Sequence, residues 1–123
     1  MTGNLRRLLL HLPAYAAAVL VVDRIVMPGL SSAAEPATIE VRLQGHMFVP
    51  DVIRANPGDT IRFLNVDEDL HSVLLVEHAD VIQETFIDPG QAIAVRLPGD
   101  MPPGRFELAC TIHVDMQATL VVS

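Results

Sequence analysis

The residues best suited to do chemistry lie near the end of the chain, in Cys110-Thr111-Ile112-His113-Val114-Asp115-Met116. Strand-like apolar stretches at 106–109 and 118–122 flank this segment, so a thiolate, an imidazole and a thioether fall on one tight loop between two strands. Soft sulfur donors combined with imidazole suit copper, Cu(I) above all, and two histidines with one cysteine and a weak axial methionine form a trigonal copper site. That set needs a second imidazole from elsewhere. His71 is the natural candidate, because it follows a strand-like stretch at 60–66 and the acidic turn Asp67-Glu68-Asp69.

Each of these residues also has a plainer reading. Free cysteine packs as a small hydrophobe, and methionine fills cores. A lone histidine can end a strand, and an acidic turn is first of all a solvated turn. His46, Met47, His78 and Met101 are further soft or imidazole donors; none has a partner at a recognisable ligand spacing, so they read first as surface or packing residues, and a cluster of several would gather more than one copper ion.

The elements that must position the site are short strands. Ile39, Val41 and Leu43 alternate with polar neighbours, as do Ile61 with Phe63, Ile93 with Val95 and Leu97, and Phe106 with Leu108; each such segment buries one face. Residues 73–76 are continuously apolar, as in a strand covered on both faces. Asn56-Pro57-Gly58-Asp59, Asp88-Pro89-Gly90, Leu97-Pro98-Gly99-Asp100 and Pro102-Pro103-Gly104 punctuate them. Proline presets the first corner of a turn, and glycine accepts a positive φ at the next. Seven or eight strands at this spacing indicate an all-β two-sheet sandwich or a barrel, with no useful helix after residue 35.

Composition limits the possibilities further. With 123 residues, half of them apolar, the chain supports one compact domain. Eight arginines, no lysine and fifteen acidic residues leave a net charge of −7, which excludes the basic stripe that nucleic-acid binding requires. The acidic surface keeps the protein soluble, or faces a basic docking partner.

Residues 1–34 read as a cleaved export signal. Arg6 and Arg7 precede an apolar run at 8–22, Asp23 and Arg24 close it, and the small Ser32 and Ala34 stand before the expected new terminus at Glu35. An uncleaved membrane anchor is the alternative, although the run is shorter than the roughly 20 residues of a spanning helix. The remaining domain, 35–123, holds five arginines against fourteen acids, or −9. So small a domain gains from a metal or disulfides, and a lone cysteine allows no disulfide within the chain.

Together these features resemble the cupredoxins, the small type 1 or blue copper proteins, with a ligand loop most like that of amicyanin and plastocyanin. Phe48-Val49-Pro50, Asn56-Pro57-Gly58-Asp59-Thr60, Phe63-Leu64-Asn65, His71-Ser72-Val73, Gly104-Arg105-Phe106 and the Cys110 loop occur in that family's order over residues 38–122. The resemblance implies a Greek-key sandwich, one copper ion, His71 and His113 as imidazole ligands, Cys110 as thiolate and Met116 as axial ligand. It also implies that Ser72 and Thr111 tie the two ligand loops together by hydrogen bonds. Leu108, Ile112 and Asp115 depart from the family's usual aromatic, proline and apolar residues.

The function implied is a periplasmic, monomeric electron carrier with no substrate chemistry, serving a dehydrogenase, reductase or cytochrome and making no membrane span once processed. The alternative is a copper-binding protein for storage, delivery or tolerance. Five histidines, one of them in the leader, are too few for a multicopper enzyme.

Overall fold

The computed structural model describes residues 35–123, so the expected export segment lies outside the described residues. Among the described residues nine strands form two sheets: β1 Thr38–Leu43, β2 Phe48–Val49, β3 Val52–Ala55, β4 Thr60–Asn65, β5 His71–Leu75, β6 Thr85–Ile87, β7 Ala92–Arg96, β8 Gly104–Ala109 and β9 Gln117–Val122. One sheet has the order β2-β1-β4-β7 and the other β3-β9-β8-β5-β6. Among the described residues there is no helix, and hence none long and apolar enough to cross a membrane. The strand count exceeds the expected seven or eight because β2 has only two residues, too few to show a period.

Alternation explains the layering. In β4 every second residue, Ile61, Phe63 and Asn65, is buried, and β1 buries Val41 and Leu43 in the same way. These two strands are parallel and pair Val41 with Phe63 and Leu43 with Asn65, so their inward faces align. Phe48 meets Phe63 edge to face, with ring centroids 6.4 Å apart. From the second sheet come Ile53, Val73, Leu75, Leu108 and Leu120, all at 0% exposure. Burying each of these side chains stabilises the fold by about 1.5–3 kcal/mol.

The expected turns close as such. Asp59 N donates to Asn56 O at 3.1 Å and Gln91 N to Asp88 O at 3.0 Å, with Gly58 and Gly90 at φ 86° and 78°. Asp59 also accepts from the amides of Ala37 and Asn56 at 2.9 and 2.8 Å, which pins the chain leading into β1 against the turn leading into β4.

Parallel pairing has a consequence for function. Because β1 and β4 run the same way in register, the loops that follow them emerge at the same end of the sandwich. The continuing bond from Val66 N to Leu43 O, 3.1 Å, holds those exits together. The β8–β9 connection and the start of β5 complete that end: β5 and β8 are antiparallel with Leu74 opposite Ala109, and extending this register two steps sets Ser72 beside Thr111.

Candidate metal centre

His71 opens β5 and is fully buried, and Cys110 follows directly on β8 at 5% exposure. His113 is half-buried in the loop between β8 and β9. One donor atom from each of these three residues lies within 4.8 Å of the others. Nδ1 of His71 and Nδ1 of His113 are 3.2 Å apart, and Cys110 Sγ is 3.6 Å from His113 Nδ1. Met116 is buried at 1% exposure in the same apolar cluster as Cys110. Its carbonyl accepts from Cys110 N at 3.0 Å and its amide donates to His113 O at 3.1 Å, so the loop is closed by its own backbone.

Hydrogen bonds brace Cys110 and the loop that carries it. Ser72 N donates to Cys110 Sγ at 3.3 Å, and Ser72 Oγ accepts from Thr111 N and shares a second bond with Thr111 Oγ1, both at 2.8 Å. Thr111 Oγ1 in turn donates to Glu84 at 2.5 Å. The two ligand loops are therefore tied by Ser72 and Thr111. Burial opposes ionisation of the Cys110 thiol, but the N–H groups of Ser72, Ile112 and His113, together with the His113 ring, outweigh it and lower the thiol from 9.0 to about 6. The thiolate is the metal-binding form.

Asp67 braces the opposite side. Its Oδ2 accepts from His71 Nε2 at 2.8 Å and from His46 N at 3.0 Å, and its Oδ1 accepts from Gly45 N at 2.8 Å. Burial raises its pKa, but these donors and the His71 ring prevail and hold it at about 2. A carboxylate bound to Nε2 places the proton there and leaves Nδ1 of His71 as a lone-pair donor facing Cys110 and His113. Asn65, fully buried at the end of β4, shapes this loop. Its Nδ2 donates to Asp69 O and Ile87 O, and its Oδ1 accepts from Asp67 N.

Sequence reasoning named His46 as a further donor and Asp67-Glu68-Asp69 as a solvated turn, but did not place either beside His71 and His113. His46 stands over the site, its ring centroid 4.3 Å from that of His113 and 5.5 Å from that of His71. It sits with Gly45 at the corner of the β1–β2 hairpin, where Gln44 and Met47 exchange backbone bonds and both central residues have positive φ, 64° and 58°. That turn prefers glycine or asparagine, so a histidine there costs about 1–2 kcal/mol of backbone strain. Local spacing could not reveal the pairing, because 21–23 residues separate this hairpin from Asp67 and Asp69. The other extra donors lie elsewhere: Met101 is buried in the core, His78 stacks edge-on against Phe106 at 5.0 Å, and Met47 is exposed.

A thiolate and two imidazoles, with a thioether on the same loop, form the soft donor set that fits a single copper ion. Zinc and hard cations fit less well, since they take four firm tetrahedral ligands or an oxygen-rich shell. The chain is 31% identical over 98 residues to a methylamine utilization protein, MauL, of Methylophilus methylotrophus; the match covers 78% of this chain and 56% of that protein, so the chain spans about half of its relative. In fold it is similar to the reduced Cu(I) form of an amicyanin point mutant, with TM-score 0.60 and 21% identity over 76% of this chain and 88% of that one. It also resembles a copper-containing nitrite reductase of Thermus scotoductus, with TM-score 0.59 and 23% identity over 74% of this chain and 23% of that one. The sequence pattern of the cupredoxin-like domain matches residues 14–122, beginning inside the expected export segment. The chain belongs to the cupredoxin-like family, and copper is the cofactor its donor set and family imply.

Proposed function

We propose that the chain is a periplasmic single-copper electron carrier, with His71, Cys110, His113 and Met116 as the ligands. One observation carries this reading: the donors of His71, Cys110 and His113 converge within 4.8 Å, with His71 held by Asp67 and Cys110 by the Ser72 amide. Bound copper supplies a one-electron couple between Cu(I) and Cu(II). The chain's part is to hold the donors still. Asp67 fixes the His71 ring, Ser72 directs its amide at Cys110, and Thr111 locks the loop, so little need rearrange when charge changes.

His113, half-buried, is the edge through which an electron passes to a dehydrogenase, reductase or cytochrome. The acidic balance of the domain, −9, supports a partner with a basic docking face. No substrate chemistry is assigned, and the likeness to nitrite reductase spans only 23% of that enzyme's chain. Storage or delivery of copper is the second reading, favoured by the extra imidazole of His46 beside His113. Voltammetry of the copper-loaded protein separates the two. A rapid, reversible one-electron couple is expected of the carrier, whereas Cu(I) held tightly with no reversible couple would establish copper handling instead.

A further inference from the structure

Three imidazoles, not two, meet at the end of the sandwich. His46 Nε2 lies 2.6 Å from Asp69 Oδ2, and one donor atom each from His46, Asp69 and His113 lies within 4.8 Å of the others. We propose that His46, Asp69 and His113 form an outer cation site at the mouth of the Cys110 pocket, that it takes a divalent first-row ion, Cu(II) above all, and that copper enters the buried site through it. The entry route rests on the copper reading above through the shared His113; the outer site itself does not.

Donor chemistry distinguishes the two sets. The inner one contains sulfur and favours Cu(I), whereas the outer one is imidazole and carboxylate only. Such nitrogen and oxygen donors suit divalent ions, and Cu(II) binds most strongly in the first-row order. Access distinguishes them too. The side chains of His46 and Asp69 are 49% and 61% exposed, while His71 and Cys110 are buried, so an ion arriving from solvent meets the outer donors first.

The construction of the turn supports a ligand role beyond a simple ion pair. His46 occupies a left-handed position that only glycine takes without a Cβ clash, and its backbone is fastened to Asp67. The same carboxylate orients His71, so one side chain sets the geometry of both donor groups. Among the described residues no arginine lies within ion-pair distance of Asp67 or Asp69, which leaves their negative field directed at cations.

The test is titration of the full-length chain carrying Cys110→Ala with Cu(II), followed by electron paramagnetic resonance. One Cu(II) with a tetragonal nitrogen and oxygen signal is expected. Adding His46→Ala or Asp69→Asn should weaken its binding at least about tenfold. Binding that changes less than about twofold would overturn the outer site, because the ion would then be held by His71 and His113 alone. In the otherwise native chain, His46→Ala should slow the appearance of the thiolate-to-copper band from limiting Cu(II) at least about fivefold while leaving the final band unchanged. An unchanged rate would overturn the entry role, and this arm decides even if Cys110→Ala does not fold. No band at all in the native chain would count against the inner ligand set, whereas the titration judges the outer one separately.

Discussion

Replacing Asp67 with alanine should destabilise the metal-free domain far more than a loop substitution ordinarily does. The carboxylate accepts three hydrogen bonds, from Gly45 N, His46 N and His71 Nε2. The first two donors are exposed and can turn to water, so their loss costs about 0.5 kcal/mol each, the low end for a hydrogen bond. His71 is fully buried, and its Nε2 would lose its acceptor. An orphaned buried donor costs about 1–3 kcal/mol. The sum, about 3 kcal/mol, corresponds to a fall in melting temperature of roughly 15 °C for a domain of this size. Calorimetry or circular dichroism in the presence of a chelator reads it directly. Asp67→Asn keeps an oxygen for His71 and should recover about half of the loss. A fall below about 3 °C in the alanine variant would show that Asp67 is not the brace and that His71 finds its partner elsewhere.

Ser72→Ala removes the acceptor of Thr111 N and the hydroxyl bonded to Thr111 Oγ1, so it should lower the melting temperature by about 4–8 °C, as for 1 kcal/mol, and shift the thiolate-to-copper band by loosening the tie between the two loops; an unchanged band would separate Ser72 from them. Asp59 has a carboxyl held below 3.8 by the amides of Ala37 and Asn56 against the opposing effect of burial. Its contribution is therefore present above about pH 4 and lost as pH falls below that, so the gap between wild type and Asp59→Asn in urea unfolding should close on acidification; a gap constant from about pH 7 to 3 would contradict this. Copper at about 100 times its dissociation constant should stabilise the native domain by about 2.7 kcal/mol, read as a melting temperature higher by roughly 10–20 °C, and no shift would argue against a preformed site.

Much of this molecule is legible in its sequence, and the reasons differ by element. The period-2 pattern of Ile39, Val41 and Leu43 and of Ile61 and Phe63 gives strands because a sheet face repeats every second residue, and the Pro-Gly pairs give turns because of their fixed or permissive φ. Phe48–Val49 and Thr85–Ile87 are too short to carry a period. The strand expected from Val73 in fact begins at His71, because pairing with Ile87 extends it across a histidine and a serine that hydropathy alone would leave in a loop. The closeness of Cys110 and His113 is readable because both lie on one loop. His46, Asp67 and Asp69 are not, because their association depends on the parallel register of β1 and β4, a long-range fact of topology that leaves no local spacing to detect. The acidic turn looked like a solvated surface. In the fold, one of its carboxylates is the brace of a buried histidine.

Cys110, with His71 and His113 beside it, is proposed to hold copper. The most direct measurement is the visible absorption spectrum of the Cu(II)-loaded protein, recorded for the native chain and for Cys110→Ala. An intense thiolate-to-copper charge-transfer band in the first that is absent from the second is expected. A colourless native protein, or a spectrum that survives loss of the cysteine, would contradict it.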